Sequence, residues 1–463
     1  MNGILRTTRA PRQAPAWYTA LVLVVWALTT PKAPAQTPAT PATLSLADAA
    51  RLAARQSAAA VAARHRADQA DARVTQRRAD LLPNVSASAL ENGRTLNTAT
   101  FGIDFPTPPG QPPVFDPDGQ LEGPVNTLDT RAHFAQSLFD AGALGRVRSA
   151  RASAAASDFD ADAVADQAAA SAAIAYVRAA RADAQLSARV ADSVLAEDLL
   201  RIAREQLSAG VGVALDVTRA QSQLAGIRAQ LIAVRNDRGR TRLELLRVLA
   251  LPLDMRLTLS DSLPSLRLDE PVPDEDAAIA QALRARADLR SIDAQLKAVD
   301  RQVSAVRAER LPTVAAFGDY GAIGKNGGSM LGTYNWGVQL SLPLFDGFRR
   351  EGRVEEQTAL HREIDVRRRD LREQASVEVR TALLDLASAR EAVSAAQERV
   401  RLAEQEVAQA SERFRAGVAG NADVFTASIS LNGARTQVVD ALASFQTARI
   451  ALARAEGSAR ELR

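Results

Sequence analysis

Apolar residues recur every three or four positions through most of this sequence, and every second position through a few short stretches. Val424, Ala427, Leu431, Ala434, Val438, Ala441 and Phe445 form one seam, continued by Ala448, Leu452 and Ala455. Val379, Ala382, Leu386 and their successors to Phe414 form another. A third runs Val217, Ala220, Leu224, Ile227, Leu231, Val234, then breaks at Arg238 and Thr241 before Leu245 and Val248. A sustained seven-residue period predicts left-handed coiled coils. Large residues alternating with Ala let antiparallel helices approach closely. The run from about Leu144 to Ser208 would span roughly 95 Å as a helix, which suits a rod or a tube stave and not a compact domain.

The other period is clearest at Trp336, Val338, Leu340, Leu342 and Leu344, which alternate with Gly337, Gln339, Ser341 and Pro343. This predicts a strand with one apolar face. In a soluble sandwich that face meets a core. In a membrane barrel it meets lipid, and the polar face lines water. Four such strands cannot close a pore alone, since single-chain barrels start at about eight. Either copies of the chain combine to close the sheet, or these are two soluble hairpins.

The whole pattern occurs twice. Leu82-Pro83 opens a strand stretch that ends at Ser137-Leu138-Phe139-Asp140, and a helical run leads to Ala209-Gly210 and Asp216-Val217. Leu311-Pro312, Pro343-Leu344-Phe345-Asp346, Ala416-Gly417 and Asp423-Val424 repeat that order. Such self-similarity marks a duplicated structural unit. The expected layout is a signal peptide over 1–35, a Pro/Thr tether over 36–43 and a first repeat over 44–260. That repeat holds a helix from Ser45, a plausible N-cap, to about Asp80, and a hairpin at about 84–139 with a Pro-rich loop at 106–124. Its helical tip falls at about 207–217. A second repeat over 261–457 holds a helix at about 274–310, a hairpin at about 313–345 and a tip at about 414–424. A tail of 458–463 follows.

Composition narrows the picture. Arg6, Arg9 and Arg12 precede the apolar run Ala20 to Leu28, and Ala33-Pro34-Ala35 suits cleavage before Gln36, as in a secretory signal. That run is short for a spanning helix, which needs about 20 residues. With no cysteine there is no disulfide framework. The three histidines (His65, His133, His361) lie far apart, without metal-ligand spacing, so neither metal nor cofactor is expected. A net charge of +3, with Arg interspersed among Asp and Glu, reads as solvated helix faces and not as a nucleic-acid surface. No catalytic constellation stands out, so an enzyme is not expected.

At the tips, Gly210, Val211 and Gly212, then Gly417, Val418 and Gly420, occupy the turns. Glycine suits the left-handed end of a helix. Asp216 and Asp423 fall at the start of each returning helix, where a carboxylate suits the dipole. Capping and a ring of carboxylates at a tube end are compatible readings of both.

These residues, in this order, resemble the TolC-like outer-membrane efflux proteins over nearly the whole mature chain. The resemblance rests on Leu44-Ser45-Leu46-Ala47-Asp48-Ala49-Ala50, both Leu-Pro pairs, both Leu-Phe-Asp exits and both Ala-Gly tips. It implies long antiparallel coiled coils forming a periplasmic α-barrel, with four strands per chain joining a trimeric twelve-stranded barrel in the Gram-negative outer membrane. It also implies partners: two further copies, outer-membrane lipid, a periplasmic adaptor (membrane fusion) protein at the tips and an inner-membrane transporter. The chain departs from the pattern at the second tip. Ala419 and Thr426 stand where well-known members carry an Arg and a second Asp, which leaves Asp423 as that tip's aperture carboxylate. A periplasmic adaptor is the alternative class, but it would place one helical hairpin beside soluble β-domains and would not repeat this unit.

Overall fold

In the computed structural model, residues 42–101, 110, 119–263, 272–325, 327–416, 418 and 420–462 are described. The expected signal peptide over 1–35, Gly417, Ala419 and most of the Pro-rich loop lie outside them. The order of elements is β1 (Ala42–Leu44), α1 (Leu46–Gln56), α2 (Ala58–Ala79), β2 (Asn84–Asn97), β3 (Leu121–Phe139), α3 (Ala141–Ser208) and α4 (Ala214–Val248). It continues with β4 (Leu257–Leu259), α5 (Glu275–Ala285), α6 (Ala287–Ala308), β5 (Thr313–Gly324), β6 (Leu331–Ser341), α7 (Arg349–Arg415) and α8 (Asn421–Ala455). The repeat is visible in this order: α1 to α4 mirror α5 to α8.

Helices α3 and α7 are 68 and 67 residues long, roughly 100 Å each. The seams read from the sequence are buried almost throughout: Val424, Ala427, Leu431, Ala434, Phe445 and Leu452 on α8 face Val379, Leu386, Val393 and Ala403 on α7. The break at Arg238 has a cause. Its guanidinium and that of Arg242 both bind Asp183 of α3, at 2.5 and 3.0 Å.

Several boundaries differ from the expected ones. The helix expected from Ser45 to Asp80 is two helices, and so is the one expected at 274–310. Neither break carries Pro or Gly; each is held by side-chain hydrogen bonds, at least one of which reaches a distant part of the chain. At Ser57 the backbone turns extended, the hydroxyl accepts from the Ala60 amide at 3.2 Å, and the neighbouring Gln56 donates to the Leu249 carbonyl at 2.9 Å. At Arg286 the guanidinium binds Asp288 and Glu378, at 2.7 and 2.6 Å. Burial would raise the Asp288 carboxyl, but the hydrogen bonds and charge of Arg286 and the Leu289 amide outweigh it and hold the group below the usual range. Gly457 passes so close that a Cβ there would sit 3.0 Å from the Arg286 backbone, and its φ of +78° needs glycine.

Ala42 and Thr43, assigned to the tether, form β1, which pairs in parallel with β4. The strands of the first hairpin run over Asn84–Asn97 and Leu121–Phe139, so residues 121–124 belong to β3, not to the loop at 106–124. The described part of the tail, 458–462, is packed. Ala459 and Leu462 are buried, and Arg460 reaches Asp166 and Asp162 at 2.5 and 3.1 Å. Ser45 does cap α1, its hydroxyl accepting from the Asp48 amide at 3.0 Å.

Tyr176, fully buried on α3, ties the mid-section together. Its hydroxyl donates to the Leu44 carbonyl and accepts from the Asp261 amide, both at 3.0 Å. Burial pushes its phenol up to about 12 from 10.0. The unfolded chain therefore ionises first, so this contribution to stability is whole below pH 10 and is lost as pH rises to about 12. Tyr176→Phe is expected to cost about 1–3 kcal/mol at neutral pH, through the unsatisfied buried partners, and to flatten the alkaline loss of stability. Urea unfolding midpoints across pH 8 to 12 check this; the same alkaline decline in the variant would contradict it.

Candidate functional site

The four-stranded sheet is antiparallel throughout, in the order β2-β3-β5-β6. Side chains opposite one another share a face, so the register sorts the residues. Leu340, Val338, Trp336 and Tyr334 lie opposite Val314, Ala316, Gly318 and Tyr320. Gln136, Phe134, Ala132 and Thr130 of β3 continue that face, followed by Val85, Ala87 and Ala89 of β2. It is apolar apart from a few positions and it is open: Trp336 is 76 % exposed and Leu340 69 %. Leu342 and Leu344, expected on the same strand, lie beyond its end at Ser341 and are also exposed.

The other face is polar. Asp129 accepts two hydrogen bonds from Arg131, at 2.8 and 2.7 Å. His133 lies between Asp319 and Ser88, 3.0 Å from the Ser88 hydroxyl. Asn335 and Gln339 of β6 belong to this face by register. One apolar and one charged face are what a bilayer on one side and water on the other require. The strands hold 11 to 19 residues, enough for the 9–11 residues of a tilted membrane strand. Among the described residues, no helix is long and apolar enough to cross a membrane.

At the sheet's helical end both Leu-Phe-Asp exits anchor the long helices, in different ways. Asp140 caps α3, accepting from the Ala143 amide at 2.8 Å. Asp346 instead accepts from Arg350 at 2.7 Å, while Phe348 holds a left-handed φ of 61°.

Toward the tip, Asp192 of α3 is buried between α3 and α8. Arg189 and Arg435 bind its two oxygens at 2.9 Å each, and Arg189 also donates to Thr436 at 2.7 Å. Turned with its amide nitrogen inward, Asn432 donates to Asp192 at 2.7 Å. Sequence reasoning missed this cluster; its signal was an Asp and an Arg beside otherwise apolar seams. At the tip itself, Phe414 is buried against Leu199, Ile202 and Val424, so the two helical hairpins dock on one another. Gln206 donates to the Phe414 carbonyl at 3.0 Å, and Asn421 to the Asp216 carbonyl at 3.2 Å. The turns are built alike: Val211 donates to Gln206 and Val418 to Arg413. Gly210 takes the left-handed φ of +76°.

Neither tip carboxylate makes a capping hydrogen bond. The N-caps are Val213 and Gly420. Asp216 is largely covered, 3.9 Å from Arg219. Asp423 is exposed, with no side-chain partner among the described residues. The two acids therefore differ, although the sequence places them alike. Val211 and Val418 are also exposed. Among the described residues there is no group of acidic, His or Cys side chains that could hold a metal ion.

Two substitutions test the sheet faces. Trp336→Arg is expected to destabilise the inserted protein by about 2–4 kcal/mol, or less toward an interface. Gln339→Arg on the polar face should be tolerated. Urea unfolding from lipid vesicles reads both, and equal effects would contradict the assignment. A third, Asp192→Ala, leaves two partly covered guanidinium groups without their carboxylate and should cost about 2–3 kcal/mol, below the range for a fully buried pair. Faster amide exchange confined to the facing segments of α3 and α8 is the expected sign.

Among curated proteins none matches this chain in sequence. Solved outer-membrane channels share its fold. VceC of Vibrio cholerae matches with a TM-score of 0.67 at 18% identity, over 89% of this chain and 96% of that one. MtrE of Neisseria gonorrhoeae, in its open state, gives 0.72 at 18% identity over 89% of each chain. CmeC of Campylobacter jejuni gives 0.69 at 17% identity, over 99% of this chain and 94% of its own. The outer membrane efflux protein model matches residues 45–251 and 278–458, one segment for each repeat. With most of its length matched, and with the apolar sheet face and long staves such a channel needs, the chain belongs to the outer membrane efflux protein family.

Proposed function

We propose that three copies of this chain form a passive exit duct in the Gram-negative outer membrane. The duct is gated at the helical tips, reached there by a periplasmic adaptor and driven by an inner-membrane transporter. The observation that carries this reading is a sheet with an apolar outer face and two unpaired edges, β2 and β6, mounted on helices roughly 100 Å long. An edge left open in hydrocarbon is untenable, so another copy must cover it.

The repeat indicates how. Within the chain, β3 pairs with β5, and α3 packs on α6 and α8, so the first repeat joins the second. The equivalent joint from the second repeat to the first is β6 on β2, with α7 on α2 and α4, and within one chain those faces are unmet. Exposed Val377, Leu384 and Leu402 on α7, and Ile232 and Leu243 on α4, are apolar residues such a joint would cover. A head-to-tail joint of this kind closes into a ring. Superposing Leu82 on Leu311 and Asp140 on Asp346 turns the pair Asn84–Ala135 into Thr313–Ser341, which is the observed register. The same operation on β3–β5 puts Gln339 opposite Leu90 of the neighbouring copy. It keeps Trp336 on the apolar face, opposite the neighbour's Gly93.

Each tip adds a carboxylate per copy, and the exposed Asp423 is the one free to act on ions at the aperture. The open state of MtrE supports a tip that has more than one packing. Single-channel recording of the purified protein in planar bilayers tests the duct. The expected result is a small cation-selective conductance, with weaker selectivity and weaker divalent block in Asp423→Asn. A folded helical protein that never inserts would contradict the duct. An unchanged Asp423→Asn channel would leave the duct standing and remove the carboxylate aperture.

A further inference from the structure

We infer that the barrel wall carries an ion filter of its own, a belt in which Asp319 favours cations and His133 sets how strongly. The inference rests on the duct reading, and it concerns the membrane section, not the tip. In the register of the sheet, His133 of β3 lies between Ser86 of β2 and Asp319 of β5, and Asn335 of β6 continues the row. All four belong to the polar face, which lines water once the sheet is closed. The joint between copies runs along β2 and β6, whereas β3 and β5 are inner strands. His133 and Asp319 therefore stay uncovered in the ring. By the joint already described, a neighbour's Ser341 comes opposite Ser88 and brings no charge to the belt.

Few charges face His133. Arg131, two residues before it on β3, gives two hydrogen bonds to Asp129, at 2.8 and 2.7 Å, so these two cancel. Asp319 makes its ion pair with the imidazole Nδ1. The neighbours from β2 are Ser86 and Ser88, and those from β6 are Thr333 and Asn335, all uncharged. Arg94, the next charge on this face of β2, stands six residues beyond Ser88, roughly 20 Å away. With a neutral imidazole each copy therefore carries one uncompensated negative charge at this level, and with a protonated one it carries none. Three copies set three such pairs evenly round the lumen. At the equivalent joint between copies the pair is Gln339 and Leu90, so the belt's charge rests on His133 and Asp319.

Ser88 makes that charge reversible. Its hydroxyl lies 3.0 Å from Nε2 of His133. A neutral imidazole donates from Nδ1 to Asp319 and accepts from the hydroxyl at Nε2. A protonated one donates at both nitrogens, and the hydroxyl turns to accept, since it can do either. Neither state leaves a polar atom unpaired, so the site does not oppose the change. Imidazole is the side chain that ordinarily gains its proton between about pH 8 and 5, and carboxylates ordinarily stay charged through that window. Salt sets the reach of the belt. A barrel of twelve strands, four from each copy, is wider than the eight-stranded kind that side chains fill and narrower than porins of about 16–18 strands. A Debye length of about 30 Å at 0.01 M spans such a lumen, whereas about 3 Å at 1 M does not.

The test is the reversal potential of single channels under a salt gradient in planar bilayers, with Asp423→Asn as the common background so that the exposed tip acid is absent. At about 0.01 M salt and about pH 8 this protein should still favour cations, and lowering the pH to about 5 should cut its cation-to-anion permeability ratio severalfold. Adding Asp319→Asn should give the low ratio already at the higher pH and turn the channel toward anions at the lower one. Adding His133→Gln should keep the high ratio at both, which separates His133 from His65 on α2 and His361 on α7. All three proteins should converge at about 1 M salt, where the charges are screened. Equal reversal potentials in the three at both pH values overturn the belt and leave the duct standing, and so does a pH response that persists in His133→Gln. Protein that never inserts overturns the duct reading, and the belt with it.

Discussion

An unpaired backbone amide or carbonyl in hydrocarbon costs several kcal/mol, and this chain presents two whole strand edges of them. Edges β2 and β6 cannot both be satisfied within one copy, because the sheet is four strands wide and its ends lie on opposite sides. The rest of the architecture follows from that constraint. In the proposed duct, pairing between copies would close the barrel, the closed barrel would fix where each long helix starts, and the helices would then stand side by side as staves. The duplicated sequence would make that joint possible, since the contact proposed between copies is one the chain already makes between its own halves.

Length creates a second difficulty. A seam of large residues alternating with Ala looks nearly the same after every seven residues, so it does not choose its own register. The charged clusters do. Asp183 with Arg238 and Arg242, and Asp192 with Arg189, Arg435 and Asn432, meet in one alignment only. Slipping α4 by a heptad would put Leu231 or Leu245 where Arg238 meets Asp183, and slipping α8 would put Ser428 or Leu442 where Arg435 meets Asp192. A polar group on an apolar seam trades stability for register, and here the trade falls where α3 meets α4 and α8. Below Asp192 the tips are joined by Phe414, Gln206 and Asn421, and Asn421 keeps one buried oxygen without a partner.

The sequence revealed what depends on period and repetition. The seams, the alternating strand, the turn glycine at Gly210 and the Ser45 cap are local patterns with local causes. It concealed what depends on partners distant in the chain. Ser57 and Arg286 break helices without Pro or Gly, because Leu249, Asp288 and Glu378 supply the competing bonds. The segment from Ala42 becomes a strand because Leu257 to Leu259 lies beside it, and the C-terminal residues pack because Asp162 and Asp166 receive Arg460. The polar face with His133, Asp129 and Asp319 was invisible for the same reason: its members meet only through the register of three strands. The two tip acids look equivalent in sequence, and only the docking of the hairpins makes Asp216 covered and Asp423 exposed.

The central claim is that the joint between repeats within the chain is also the joint between copies. The natural chain has no cysteine, so one introduced pair reads the contact directly. With Leu90→Cys and Gln339→Cys in the same chain, mild oxidation in the outer membrane should yield covalent trimers and nothing larger, while moving the first cysteine to Ser86 should abolish the link. No cross-link at Leu90, or a ladder running past three copies, would contradict the account.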